Sequence, residues 1–175
     1  VLAYDHYRWF VIKRGDRYAI RLRDLQHPRL EALDSIPAFP FKKKWVVEAT
    51  LAPYDSVRTL EVPTVIPGFT ESYRVPGTLH FTLEGEDLTL LPFTSKKGYF
   101  LIFGDATNGI DTYGAGRFLY LPEREDGRIV IDFNRAYNPP CAFSPFATCP
   151  LPPAENYLDY PVTAGEKAVH LTAAH

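Results

Sequence analysis

Apolar and polar positions alternate most regularly in residues 78–93, TLHFTLEGEDLTLLPF. Leu79, Phe81 and Leu83 lie on one side of Gly85, Glu86 and Asp87, and Leu88 and Leu90 on the other. This is the period-2 signature of two half-buried strands, 78–84 and 88–93, joined by a tight turn. Residues 18–23 set Tyr18, Ile20 and Leu22 against Ala19, Arg21 and Arg23. With the aromatic and β-branched run 7–13 and a turn through Arg14, Gly15, Asp16 and Arg17, they read as a second hairpin. Further strands are predicted at 45–51, 57–62, 99–105, 112–121 and 128–134, and an edge strand at 168–172. Pro63, Pro67, Gly68, Pro76 and Gly77 mark a loop before residue 78. Pro28 limits 24–33 to a single helical turn around 28–33. About nine closely spaced strands without a long helix predict an all-β, single-domain antiparallel β-barrel or β-sandwich over residues 1–175.

The pattern fails after residue 134. Residues 132–167 hold seven of the sixteen prolines and both cysteines, and carry no period. Such a stretch is a functional loop or a linker. Phe133, Tyr137, Phe143, Phe146, Tyr157 and Tyr160 are large apolar groups that gain by burial, and disordered segments are poor in these. The strands therefore end near 134, an ordered proline-rich strap at 135–167 closes the sheet, and a short tail follows.

With 46% apolar and 14% aromatic residues, a chain of this length builds a core without covalent staples. A formal charge of −2 argues against nucleic-acid binding, which needs a basic excess. No apolar run reaches the length of a membrane span. The expectation is a cytoplasmic protein with no cofactor and no metal, since the histidines show no ligand spacing. Composition leaves oligomeric state open.

Three groups carry candidate chemistry. Cys141 and Cys149, eight positions apart, admit three readings: a small disulfide loop, a nucleophile with a resolving partner, or two buried thiols. Arg117 shares a strand face with Tyr113, Leu119 and Leu121; if 112–121 and 128–134 are neighbours, it meets Asp132. Arg117 then anchors a bound anion oriented by Tyr113, Asp132 and Asn134, or forms a buried ion pair pinning the strap. Residues 105–109, DATNG, read as a turn, since they match neither a calcium nor a phosphate loop. Glu155 and Asn156 read as strap anchors, and 165–167 as a turn.

The strings VIKRGDRYAIRLRD, FGDATNGIDTYGAGRFLYLP and VIDFNRAYNPPCAFSPFATCPLPP, with the later AGEK, resemble the family called domain of unknown function 1684, from about residue 11 to 167. The resemblance implies a small bacterial or archaeal protein with no activity to carry over, and many members have a longer N-terminal region. The sequence alone favours binding of a small polar or anionic molecule beneath the strap. A hydrolase or thiol-dependent enzyme using Cys141, or a protein-interaction module, are the alternatives.

Overall fold

A computed structural model describes residues 1–14, 17–33 and 35–169, which divide into two units, Val1–Ser35 and Ile36–Val169. In the first, β1 (Leu2–Tyr4), β2 (Tyr7–Arg14) and β3 (Arg17–Asp24) form an antiparallel sheet in that order. The hairpin forms as predicted, with Val11 opposite Ile20 and Trp9 opposite Leu22, but the expected half-burial does not: Val11, Tyr18, Ile20 and Leu22 are exposed. The predicted turn between β2 and β3 contains Gly15 and Asp16, which lie outside the described residues. The helical turn is a 3₁₀ turn, Pro28–Leu30, capped by the His27 ring, which accepts from the Arg29 amide.

The second unit holds β4 (Val46–Pro63), β5 (Thr70–Leu83), β6 (Glu86–Leu90), β7 (Phe93–Ser95), β8 (Gly98–Asp105), β9 (Arg117–Pro122), β10 (Ile129–Asp132) and β11 (Tyr157–Leu158). One sheet runs β10-β4-β5-β6. In the other, β8 is paired with β7 and β11, and β9 also pairs with β8. The fold is all-β, and the described strands lie in three sheets, none closed on itself. That removes the barrel alternative. Leu79, Phe81 and Leu83 of β5, Leu101 and Phe103 of β8, Leu119 and Leu121 of β9 and Ile131 of β10 meet in one core, as in a sandwich.

Several boundaries differ from the sequence reading, each for a local reason. Trp45 ends a 3₁₀ turn, and residues 46–51 and 57–62 belong to one strand, β4, whose ladder with β5 shifts between Pro53 and Arg58. The predicted loop at 63–77 is mostly strand, because β5 begins at Thr70. Pro76 falls at the register shift, where its missing N–H costs no ladder bond. Gly77 lies against the Ala52 carbonyl, where a Cβ has no room. Residues 88–93 pass from one sheet to the other, since β6 ends at Leu90 and β7 begins at Phe93. Of 112–121, only the part from Arg117 is strand. Ala168 and Val169 are not in a strand, and the rest of the predicted edge strand, 170–172, lies outside the described residues.

The strap is ordered through three 3₁₀ turns (Phe133–Arg135, Pro140–Ala142, Ala154–Asn156) and β11, which lies parallel on β8. Phe133, Ala136, Leu158, Val162 and Ala164 join the main core. Ile102 and Phe118 belong to a second cluster with Val62, Phe93 and Cys149, so β8 and β9 are covered on both faces. Burial of the strap aromatics is uneven. Phe133 is fully enclosed, whereas Phe146 is 88% and Tyr157 53% exposed. Asn156 is buried and ties the strap to the sandwich. Its Oδ1 accepts from the Leu91 amide at 2.6 Å, and its Nδ2 donates to the carbonyls of Leu91 and Ile102 at 3.0 and 2.9 Å.

Candidate functional site

β9 opens on Arg117, which the ladder places opposite Phe103. Alternation puts it on the same face as Leu119 and Leu121, and that face is the core, so Arg117 is fully buried. A buried guanidinium needs acceptors around it. Nη2 donates to Asp105 Oδ2 at 2.7 Å and to the Val162 carbonyl at 2.9 Å. Nη1 donates to the Ala164 carbonyl, with that of Glu166 at 3.5 Å. The guanidinium lies over the Phe103 ring, 5.3 Å from its centre. Nε has no partner among the described residues. Burial lowers the Arg117 pKa, and Asp105 opposes that shift.

The conditional pairing with Asp132 does not form, because Asp132 lies opposite Val46 in the other sheet. Its carboxylate instead caps the first strap turn, accepting from the backbone and side-chain amides of Asn134 at 3.1 and 2.9 Å. Asn134 in turn brackets Lys42, exchanging hydrogen bonds of 3.1 Å with its N–H and carbonyl. Asp132 and Asn134 therefore meet at the root of the strap, while Arg117 meets Asp105. The space beneath the strap is occupied by Phe133, Leu158, Val162, Ala164 and Arg117 itself.

A polar chain leads from Arg117 to Tyr113. Asp105 Oδ1 accepts from the Thr107 amide (2.9 Å), the Thr107 hydroxyl (2.6 Å) and the Val162 amide (3.2 Å). A hydroxyl has one proton to give. Thr107 gives it to the carboxylate, so in the 2.8 Å contact between Thr107 and Thr112 the donor is Thr112. The Thr112 oxygen accepts from Asn108 Nδ2 at 3.1 Å, and the same amide nitrogen donates to the Tyr113 carbonyl at 2.8 Å. Residues 105–109 are thus a turn, as the sequence predicts, closed on itself by side chains. That turn fixes the backbone of Tyr113, whose side chain reaches Cys141.

Cys141 and Cys149 are both free thiols, half-buried and buried respectively. Pro139 and Pro140 have no N–H to donate, so Cys141 carries the first available amide of its turn, and that amide donates to Cys149 Sγ at 3.2 Å. The turn is held by Asn138, whose backbone amide donates to Glu166 Oε2 and whose Nδ2 donates to the Lys167 carbonyl, both at 2.7 Å. Cys149 is fixed from the sandwich side: its carbonyl accepts from Val65 at 2.9 Å, and the Leu151 amide donates to Pro63 at 2.8 Å.

These contacts set the state of the sulfurs. A hydrogen bond from the Cys149 thiol is the largest influence on Cys141; the Tyr113 phenol and the amides of Cys141 and Ala142 add to it, and burial opposes it. The Cys141 thiol is held down to about 7. Cys149 moves the other way, pushed up first by giving its proton to Cys141, then by burial, with the Glu71 carboxylate adding in the same direction. Burial, followed by the Cys141 contact, also raises the Tyr113 phenol.

Among the residues named from sequence, the structure brings Tyr113 to Cys141, Asp132 to Asn134, and Arg117 to neither pair. Sequence reasoning missed the roles of Asp105, Thr107, Asn108 and Thr112, although hydroxyl and amide side chains at that spacing are suited to fold back on one turn. Two hollows of about 430 and 440 Å³ open elsewhere. One is lined by Thr50, His80, Thr82, Asp87 and Thr89 with neighbours, the other by Glu48, Thr50 and Arg128 with neighbours. Among the described residues no three His, Cys, Asp or Glu side chains are grouped to hold a metal ion, and no helix is long and apolar enough to cross a membrane.

A family model described as "Protein of unknown function (DUF1684)" matches residues 31–167. The solution NMR structure of an uncharacterised protein from Haloarcula marismortui is similar to this chain: 34% identity, 79% of this chain and 78% of that one covered, TM-score 0.63. No curated protein matches.

Proposed function

This chain belongs to the DUF1684 family of proteins of unknown function, and from the geometry of its strap we propose that it performs thiol chemistry, with Cys141 as the reacting group. The observation that carries this reading is the converging set of donors at one sulfur. The buried Cys149 thiol, whose sulfur the Cys141 amide meets at 3.2 Å, and the Tyr113 phenol both bond a sulfur that is itself only half-buried. Donors aimed at a sulfur stabilise the thiolate, and the thiolate is the nucleophile. Two inert core thiols need no such arrangement. Binding of an anion by Arg117 is less well supported, because its Nη donors are already taken by Asp105 and three strap carbonyls.

The chemistry that follows is attack by Cys141 on an electrophilic centre brought to the strap surface. Tyr113 stays protonated and donates, and Cys149 keeps its proton while Cys141 is charged. The buried chain from Arg117 through Asp105, Thr107, Thr112 and Asn108 positions Tyr113 and does not itself react.

Alkylation of the native protein by iodoacetamide tests the reading. The Cys141 rate should rise with pH through a midpoint near 7, because the thiolate fraction grows as pH passes the pKa. Cys149→Ala should move that midpoint upward more than Tyr113→Phe does, following the order of their influence. A midpoint at the ordinary thiol value in the folded protein, or reaction only after denaturation, would overturn it.

A further inference from the structure

We propose that Cys141 and Cys149 are the attacking and resolving thiols of a dithiol–disulfide exchange, whose substrate is an accessible disulfide. This rests on the thiol reading above and deepens it by naming the substrate class and giving Cys149 a role. Three observations support it. Both thiols are free, one half-buried and one buried, and the Cys141 amide donates to Cys149 Sγ at 3.2 Å, which brings the two cysteines into contact. The backbones on either side of the pair are anchored, at Asn138 by Glu166 and Lys167 and at Cys149 to Leu151 by Pro63 and Val65. Among the described residues, the segment between them, 142–148, makes only short-range turn hydrogen bonds around Pro139, Pro140 and Ser144. It can therefore tighten as the sulfurs close to bonding distance without breaking a sheet ladder. That segment also carries Phe146, 88% exposed, as an apolar side chain on its surface.

The electron count closes within the named partners. The Cys141 thiolate attacks one sulfur of a disulfide R–S–S–R′. A Cys141–S–R bond forms, the substrate S–S bond breaks, and R′–S⁻ leaves and takes a proton from solvent. Cys149 then loses its proton to solvent and attacks Cys141 Sγ, forming the Cys141–Cys149 bond and releasing R–S⁻, which is protonated in turn. The protein dithiol is oxidised by two electrons and the substrate disulfide is reduced to two thiols. The order of steps is built into the contact. Cys149 is held protonated chiefly by its hydrogen bond to Cys141 and then by burial, and the Cys141 thiolate that accepts this bond is consumed when Cys141 enters the mixed disulfide.

The test follows the reduced full chain by intact mass after mixing with excess oxidised glutathione, or with a disulfide-linked peptide, and quenching in acid. Wild type should end as an internal disulfide, two hydrogens lighter, with both thiols of the glutathione disulfide released. Cys149→Ser and Cys149→Ala should stop at a mixed disulfide on Cys141, and Cys141→Ser should not react in the folded state. Melting curves for each variant confirm that the folded protein is being compared. Faster reaction with the peptide points to a protein substrate and faster reaction with glutathione to a small metabolite; either supports the exchange. Wild type accumulating the same mixed disulfide as Cys149→Ser would overturn the pair while leaving Cys141 a nucleophile. A Cys141 inert in every variant would overturn the thiol reading as well.

Discussion

Arg117→Leu is expected to destabilise the protein by about 3–5 kcal/mol, the cost of removing one partner of a buried ion pair. The loss has two parts. Asp105 is left buried without its counter-charge, and the carbonyls of Val162 and Ala164, both in the strap, lose their donor. Urea unfolding should show a lower midpoint with an unchanged slope, since the surface exposed on unfolding is nearly the same. Arg117→Lys should recover only a part, because one ammonium cannot span a carboxylate and two carbonyls that a planar fork reaches together. A wild-type midpoint for Arg117→Leu would mean that the ion pair is not what holds the strap. It would also reopen a ligand-binding role for this side chain.

Asn156→Leu should cost about 2–4 kcal/mol by the same measurement. Three backbone groups, the Leu91 amide and the carbonyls of Leu91 and Ile102, lose their partner in a site closed to water, and each buried unpaired group costs roughly 1–3 kcal/mol when it stays dry. Asn156→Asp should fare no better, because a carboxylate accepts where two carbonyls need a donor. Loss of less than half a kcal/mol in both variants would show that strap and sandwich are held together elsewhere.

How much of this was legible in the sequence depends on the range of the interaction. The hairpin of β5 and β6 was legible because its signals are local, strict alternation and a turn at Gly85; the turn itself falls at Glu84 and Gly85, both at positive φ, so that Glu86 and Asp87, read as turn, begin β6. The start of β5 was not, because Pro76 and Gly77 are turn signals on their own. They are accommodated in a strand only by the register shift in β4 and the close approach of Ala52, both properties of the pairing. The buried face of β9 followed from period 2, which correctly grouped Arg117 with Leu119 and Leu121. Its partner did not follow, since choosing Asp105 over Asp132 requires knowing that β9 pairs with β8. Asp105 was visible only as the last residue of a predicted strand and the first of a turn.

The thiol site shows the same division. Both cysteines and Tyr113 were identifiable by residue type, but Tyr113 was assigned to an anion site on the assumption that 112–121 is one strand. In the structure the strand begins at Arg117, and the loop before it, closed by Thr107, Asn108 and Thr112, carries Tyr113 to Cys141 instead. No local pattern announces that encounter between residues 28 positions apart. The strap was recognisable as ordered from its aromatic content, yet its fastening by Arg117, Asn156 and Asn138 is entirely long-range.

The most direct measurement of the central claim is a pH titration of thiolate absorbance in the folded protein, compared with Cys141→Ser under the same conditions. The account predicts a step centred near pH 7 in the native chain, absent from Cys141→Ser, while Cys149 contributes nothing until far higher pH. A native titration with no step below the ordinary thiol range, superimposable on that of Cys141→Ser, would contradict it.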